Sequence, residues 1–489
     1  MNAAMAILER LAAKGVTPRR LTADSRRVQP GDVFVAVPGG HVDGRDFVAQ
    51  AVARGAAAVL VEAVGAGPIV GAGDTVVVDV AGLGALSGEI AHLVYGRPSE
   101  KLWVAGVTGT NGKTSISQWI AQAMGALGRR CAVIGTLGNG FVEALEASPN
   151  TTPDAITLHA ALAGFVERGA QACAMEVSSI GLDQGRVNGV AFDVAVFSNL
   201  TRDHLDYHGS MESYAAAKAR MFILPGLGAA VLNLDDPFGV DLARRLRGRL
   251  PILGYTLGDA REECDELLRA ENLRVGAIGL EFELRGTTIA APVVGRFNAS
   301  NLLAVAGAML SRGEGLEAVA AALRGIRPPP GRMQALGGQG QPLVVVDYAH
   351  TPDALEKALG VLRETAGARG GRLVCVFGCG GERDAGKRPQ MGAVAERLSD
   401  RVLVTSDNPR GEDPEAIIAA IVGGMKSAPA VRVERAAAVA AAIAAADPHD
   451  VILLAGKGHE PYQEIAGTRH PYSDLEAAKS AMAARGAGS

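Results

Sequence analysis

The stretch Gly106-Val107-Thr108-Gly109-Thr110-Asn111-Gly112-Lys113-Thr114-Ser115 follows directly on the apolar run Leu102 to Ala105. An apolar run feeding a glycine-rich turn, with Ile116, Trp119, Ile120 and Met124 at helical spacing beyond it, predicts strand, tight loop and helix in that order. Such a loop belongs at the carboxyl end of a buried strand, so the surrounding chain must supply a parallel sheet with crossover helices. Gly109 and Gly112 let backbone N–H groups converge on phosphate oxygens, with Thr110, Asn111 and Ser115 completing the cradle. Lys113 supplies a point charge, and the Thr114 hydroxyl can bind Mg2+ at the mouth of the helix. The strict spacing G-x-x-x-x-G-K-[ST] is not met, because Val107 stands where the first glycine belongs. A bare Gly-Lys-Thr also occurs as a plain strand-to-helix turn, but the flanking strand and helix favour nucleotide binding.

The chain has 489 residues, enough for several domains. Its 48 basic and 52 acidic side chains leave a net charge of -4 with no block of like charge, which argues against extended binding to nucleic acid or to an anionic membrane. Met1 to Gly15 carries Glu9 and Arg10 within its apolar pattern and reads as an amphipathic helix rather than a signal peptide. The longest apolar run, Ala436 to Ala446, is too short to cross a bilayer. An odd count of 5 cysteines points to a reducing compartment, hence the cytoplasm. Cys375 and Cys379 resemble a metal pair, but with no second pair they read better as buried structural thiols.

Three textures divide the chain into residues 1–99, 100–329 and 330–489. The first has short segments (Val33 to Val37, Ala58 to Val61, Thr75 to Val80) separated by Gly and Pro, which suits a small α/β domain. In the second, Val104 to Val107, Cys131 to Gly135, Ala172 to Val177, Val194 to Ser198 and Ala230 to Asn233 alternate with helical stretches. They predict a doubly wound, mostly parallel sheet. The stiff stretch Arg327-Pro328-Pro329-Pro330-Gly331 stops any helix and opens the third region. There Leu343 to Asp347, Leu373 to Phe377, Val402 to Ser406 and Val451 to Ala455 predict a Rossmann-like α/β domain. The fold class is therefore α/β throughout, in three domains.

Chemistry in such sheets collects at the carboxyl ends of strands. One run ends Met175-Glu176-Val177-Ser178-Ser179, and another leads through Asn199 and Asp203 to His204 and His208. Together they bring a carboxylate and an imidazole towards Thr114, as Mg2+ bridging phosphates requires. Tyr214 to Phe222 is a helix carrying Lys218, which by default is a solvated surface lysine.

Gly109 to Thr114, Glu176 to Ser179, Asn199 to Asp206, Tyr214 to Phe222, Gly295 to Asn301 and Asp347 to Pro352 together resemble the Mur ligases, ATP-dependent amide-forming enzymes of bacterial cell-wall synthesis. The motifs occur in family order over essentially the whole chain. The resemblance implies an amino-terminal domain for a uridine nucleotide, a central ATPase domain and a carboxyl-terminal domain that brings the amino acid. It implies that ATP turns a substrate carboxylate into an acyl phosphate, which an amine then displaces. Two anions must meet in that step, so cations belong between them. The implied set is Lys113, with one Mg2+ on Thr114 and Glu176 and a second on His204. Lys218 would serve that second ion as the carbamate, N6-carboxylysine, formed with CO2. Asn298 and Asn301 would lie near the adenine, and Arg332 and Asp347 would carry the third domain onto phosphates and ribose.

Substrate identity follows from further stretches of the same resemblance. Ser25 and His41 correspond to uridine-diphosphate contacts, and Asn150, Thr151, Thr152, Ser178, Gln184 and Arg186 to positions that hold a UDP-N-acetylmuramoyl dipeptide. Asn150 to Pro153 alone would read as a helix cap with proline in the first turn. Asp407-Asn408-Pro409-Arg410 after a strand is absent from lysine-adding relatives, and its guanidinium suits the second carboxylate of meso-diaminopimelate. Arg383, Gly456 and Glu460 complete the implied amino-acid pocket; Glu382 stands where relatives often have aspartate. The partners so implied are small molecules acting on a monomer, with no nucleic acid and no membrane insertion. Rival readings are an L-lysine-adding member of the family, a ligase resembling folylpolyglutamate synthetase, and a nucleotide sensor without turnover. The first hundred residues and the Asp-Asn-Pro-Arg stretch argue against the second, and the company of Glu176, His204 and Lys218 against the third.

Overall fold

The strand Trp103–Thr108 lies in the interior of the largest sheet, flanked by Val194–Phe197 on one side and Ala172–Glu176 on the other, both parallel to it. The structure is a computed structural model that describes residues 3–39, 42–63, 73–259, 264–276, 279–338 and 340–487. Strand order reverses about Trp103–Thr108, which makes its carboxyl end a topological switch point and opens the crevice where such sheets bind ligands. Outward on one side follow Ala229–Asn233, Ile252–Thr256 and Glu266–Arg269; on the other follow Cys131–Gly135, Gly138–Phe141 and Ala144–Glu146. The last two pair antiparallel and the rest of this nine-stranded sheet is parallel. One face packs Ile116, Trp119 and Ile120 of Lys113–Ala126 and Leu302 to Val305 of Arg296–Ser311; the other packs Leu158, Leu162, Phe192 and Phe222. Burial on both faces is why these strands read as continuous apolar runs.

The amino-terminal sheet has four parallel strands in sequence order, Leu21–Thr22, Val33–Ala36, Ala58–Glu62 and Val76–Val80. The helix Ala3–Ala13 buries Ala4, Ile7 and Leu11 against it, an amphipathic stripe at the expected spacing. The carboxyl-terminal sheet runs Gln334–Gly337, Leu343–Asp347, Val451–Ala455, Leu373–Phe377, Arg401–Val404 and Ala430–Val431, antiparallel only at its first edge. The proline linker is held to the central domain: Trp119 Nε1 and Gln122 Nε2 donate to the Arg327 carbonyl at 3.0 and 3.2 Å, and Arg327 N donates to Gln122 Oε1 at 2.7 Å.

Several elements differ from expectation. Asn150 to Pro153 does not cap a helix; Ala155–Glu167 is capped by Asp154, whose carboxylate accepts from Thr157 N at 3.0 Å. The strand expected over Val402 to Ser406 ends at Val404. The antiparallel sheet of Glu271–Val275, Leu280–Leu284 and Thr287–Ala291 was not among the expected strands, although Leu280, Phe282 and Leu284 alternate with glutamates and bury one face. Cys375 and Cys379 are buried, and desolvation pushes both thiols up to about 12.

Candidate functional site

The phosphate loop is built by backbone that only glycine tolerates. Gly109 and Gly112 have φ of +144° and +88°, and a Cβ on them would lie 2.0 Å from Ser198 Oγ and 2.6 Å from Asn301 Oδ1. Asn199 ties the loop to the neighbouring strand's end: its carbonyl accepts from Thr110 N at 2.8 Å and its Oδ1 from Asn111 N at 3.0 Å. Lys113 Nζ donates to the carbonyls of Gly109 and Thr110 at 2.9 Å each. Lys218, only 1% exposed, donates to the same Gly109 carbonyl at 2.9 Å and lies 4.4 Å from the centre of the Tyr214 ring. A buried amine beside a second cation disfavours its charged form, so desolvation first and Lys113 second hold Lys218 well below the ordinary lysine range. The default of a solvated lysine is therefore wrong for Lys218.

Glu176 ends the adjacent strand, 1% exposed, with both carboxylate oxygens spoken for. Thr114 Oγ1 donates within 3.0 Å of Oε1 and of Oε2, Thr136 N donates to Oε1 at 2.8 Å and Thr136 Oγ1 to Oε2 at 3.1 Å. Arg332 reaches from beyond the linker, and its Nη2 donates to Thr114 Oγ1 at 3.0 Å. The hydroxyl of Thr114 thus meets one carboxylate of its own domain and one guanidinium of the next. The donor set, a hydroxyl with an anionic carboxylate at the head of a phosphate loop, fits a hard divalent cation.

A cavity of about 820 Å³ opens beside the loop, lined by Gly112, Ser115, Asn298, Asn301, Arg332 and Asp347 among others. Asn298 and Asn301 sit one turn apart on Arg296–Ser311, and Asn301 Nδ2 donates to Asn298 Oδ1 at 3.0 Å. Asp347 ends its strand and accepts from Met333 N at 2.8 Å, while burial raises its carboxyl above the usual range against the pull of Arg332. The apolar walls Trp119, Val294, Phe297 and Ala358 and the few polar groups give this cavity the composition of a nucleobase site.

A second, smaller cavity of about 140 Å³ lies where the central and carboxyl-terminal domains meet, with His204 and Asp203 on one wall and Arg383, Asp407, Asn408, Arg410, Gly456 and Glu460 on the other. His204 has φ +54°, and its Nε2 lies 3.5 Å from Asp203 Oδ2, which also lies 3.7 Å from His350 Nε2. Desolvation, with Lys113 and Lys218 nearby, lowers His204 to about 4, so it stands neutral at pH 7 as a metal-ligating imidazole must. Arg202 and Asp384 join the two domains by a fork at 3.0 and 3.1 Å, and Asn111 Nδ2 donates to Asp353 Oδ2 at 2.9 Å.

Arg410 has φ +52°, and its Nη1 donates to the Gly381 carbonyl at 2.7 Å. Asn408 Nδ2 donates to Glu460 Oε2 at 2.8 Å. Asp407, Asn408, Pro409 and Gly456 are buried, Arg410 and Glu460 half-buried, and Arg383 exposed. On the amino-terminal side of the loop Thr152 Oγ1 donates to the Glu176 carbonyl at 3.0 Å, and Ser178 N donates to Thr152 Oγ1 at 3.0 Å. Thr151 lies 3.1 Å from Thr136, and Arg186 donates to the Thr152 carbonyl at 2.8 Å and to Gln184 Oε1. Ser25 is not drawn into this cluster; its hydroxyl donates to Gln50 Oε1 at 2.6 Å within the first domain, and Asn150 bonds locally with Ser148. His41 lies outside the described residues. Residues with no role assigned from the sequence are Thr136, Arg202, Asp203, Asp353, Asp384, Lys457 and Lys387, whose Nζ lies on the small cavity 3.8 Å from Asp203 Oδ1. Arg202, Asp203, Asp384 and Lys457 sit within or beside stretches already quoted, but their roles come from contacts across domains or between distant loops.

The chain matches the Mur ligase family, catalytic domain, over residues 19–93, the Mur ligase middle domain over 107–309 and the Mur ligase glutamate ligase domain over 331–458. It is 54% identical over 482 residues to a UDP-N-acetylmuramoyl-L-alanyl-D-glutamate--2,6-diaminopimelate ligase of Pseudomonas aeruginosa, covering 97% of this chain and 96% of that one. A solved structure of a ligase of the same name superposes with a TM-score of 0.66 at 36% identity, covering 96% of each chain. A folylpolyglutamate synthase of Mycobacterium tuberculosis, complexed with ADP, shares the fold at 22% identity and a TM-score of 0.60, over 76% of this chain and 91% of that one.

Proposed function

The chain belongs to the Mur ligase family, and from that premise we propose that it joins meso-2,6-diaminopimelate to the D-glutamyl γ-carboxylate of UDP-N-acetylmuramoyl-L-alanyl-D-glutamate. In this reading a carboxylate oxygen attacks the γ-phosphorus of ATP and ADP leaves. The deprotonated amine then attacks the acyl carbon, phosphate leaves, and an amide remains. The product is a peptidoglycan precursor. One observation carries the reading: Arg410, Asn408 and Glu460 line the same small cavity as Asp203 and His204, so an amino acid held there meets the strand ends of the nucleotide domain.

Each group has a task in this scheme. The loop N–H groups from Gly109 to Lys113 and the Lys113 ammonium hold the phosphates. The large cavity takes the base, with Asn298 and Asn301 on one side and the Asp347 carboxyl near the ribose. Thr114 and Glu176 would hold one Mg2+, and His204 with Lys218 a second; the ions would supply positive charge between phosphates and substrate carboxylate. Lys218 suits the second role once its uncharged Nζ has added CO2 and lost a proton, and its depressed basicity favours the uncharged form. Arg332, on Thr114 already, brings positive charge from the third domain when the domains close. Thr151, Thr152, Ser178, Gln184 and Arg186 would hold the muramoyl dipeptide, with Ser25 and His41 at its uridine end. Arg410 and Arg383 would take the distal carboxylate of diaminopimelate, and Glu460 an ammonium. Residues 1–99, 100–329 and 330–489 are the units assigned to these three tasks.

Every group in the scheme comes from one chain, so the proposed working unit is a monomer, and a supply of ATP puts the reaction in the cytoplasm. No helix among the described residues is long and apolar enough to cross a membrane. The deciding experiment is phosphate release with each substrate omitted in turn. Turnover should need ATP, the UDP-muramoyl dipeptide and diaminopimelate together; equal ATP cleavage without the dipeptide would overturn the reading.

A further inference from the structure

Lys457 is a fully buried cation, 0% exposed, on the loop that follows the strand Val451–Ala455. Its Nζ donates to Asn408 Oδ1 at 3.0 Å and to Glu460 Oε2 at 3.0 Å, and lies 3.7 Å from Asp407 Oδ1. Every one of these partners lines the small cavity, while Lys457 itself does not. A lysine is buried so completely only when its charge is answered, and here two carboxylates and an amide answer it.

The consequence for the partners is specific. Asn408 Oδ1 also accepts from Glu464 N at 2.9 Å, and Asn408 Nδ2 donates to Glu460 Oε2. Glu460 Oε2 therefore takes two donors from beneath, which leaves Oε1 for a group inside the cavity. The hairpin of Tyr462–Ile465 and Thr468–Pro471 that follows fastens the neighbouring turn. Arg410 N donates to the Glu464 carbonyl at 3.0 Å, and Ala466 N to the Arg410 carbonyl at 2.7 Å, which holds Arg410 at its positive φ.

We propose that Lys457 is a positioning residue for the amino-acid substrate. It neutralises the Asp407–Glu460 pair from below the pocket and locks the Asn408 amide, so that one oxygen of Glu460 faces the ammonium group and the Asp407 to Arg410 turn keeps its shape. Lys457 touches neither the substrate nor the nucleotide. The inference rests on the reading of this pocket as the amino-acid site, and it adds the group that builds the pocket.

The test is steady-state kinetics of Lys457→Met and Lys457→Gln, varying each substrate in turn, with thermal melting as the check on folding. Losing a buried charged clamp should raise the KM for diaminopimelate by about 30-fold or more. The KM for ATP and for the UDP-muramoyl dipeptide should stay within about threefold, and kcat at saturating amino acid should fall much less than KM rises. Gln keeps a donor without the charge and should fall between wild type and Met; should the Met variant fail to fold, the same selective rise in Gln decides the matter. A purely structural role would move all three KM values and kcat together, and that result, or an unchanged KM for the amino acid in a folded variant, overturns the inference. Wild type separates the two claims. If it does not use diaminopimelate, the substrate reading fails and this inference with it; if it does and the variants match it, only the inference fails.

Discussion

Replacing Arg410 by alanine should erase most of the enzyme's preference for meso-diaminopimelate over L-lysine. The two amino acids differ by one carboxylate, so the preference is set by what that carboxylate meets. Arg410 Nη1 is occupied by the Gly381 carbonyl, which aims the guanidinium into the cavity and leaves Nη2 and Nε to form a fork. Were the guanidinium fully buried, leaving it unpaired under lysine would cost roughly 3–5 kcal/mol. It is half-buried and keeps one carbonyl partner, so water recovers part of that, and about 2–3 kcal/mol is the better figure. That corresponds to roughly 30- to 150-fold in kcat/KM between the two amino acids. Arg410→Ala removes both the partner of the distal carboxylate and the guanidinium left unpaired under lysine, so the ratio of kcat/KM for diaminopimelate to that for lysine should fall by about that factor. Arg410→Lys should recover little, because a point charge cannot replace the fork and also loses the Gly381 contact that aims it. The assay is phosphate release at subsaturating amino acid for both substrates. Wild type that uses lysine equally well, or a variant in which both substrates fall by one factor, would refute the argument.

Three other outcomes are expected. Lys218→Ala should lower turnover by at least about 10²-fold with partial rescue by acetate or another short carboxylate, since the side chain is proposed to act as an anion; activity within about threefold of wild type in the coupled assay would sink the carbamate. His159 is fully buried, pairs through Nε2 with the Asn188 carbonyl at 2.9 Å and has no hydrogen-bond partner for Nδ1 among the described residues, and burial lowers it from 6.5 to about 4. The unfolded chain therefore binds this proton first as pH falls, so stability is lost between pH 6.5 and about 4, by roughly 3 kcal/mol from this group; the fall in melting temperature across that window should be shallower in His159→Gln, and equal slopes would refute it. Gly88→Ala would put a Cβ 2.1 Å from the Asn188 carbonyl oxygen, where the first domain's helix Leu83–Val94 meets the central domain; destabilisation of roughly 1–3 kcal/mol is expected in chemical denaturation, and wild-type stability would count against a rigid junction.

What the sequence determined by itself was whatever depends on neighbours along the chain. The strand, loop and helix around Lys113 were legible because a fully buried parallel strand is an uninterrupted apolar run and a phosphate loop needs glycine at fixed places. The main parallel strands were legible for the same reason. Glu176 and His204 were legible as a carboxylate and an imidazole at strand ends, the role of Lys218 came from family likeness, and the periodicity of Met211–Ala219 alone left Lys218 at the surface. The tertiary structure decided otherwise, because its burial comes from Tyr214 on its own helix and the Gly109 loop, far away in sequence. The same holds for Lys457, an ordinary lysine in a Gly-Lys-Gly turn until Asn408, Asp407 and Glu460 close around it. Arg202 with Asp384 was illegible because an ion pair between domains leaves no periodic trace in either partner, and family likeness brought Arg332 to the phosphates without its contact to Thr114. A charge shows its sign in the sequence; whether it faces water, a substrate or another buried charge is set by desolvation and pairing, and those exist only once distant segments have been brought together.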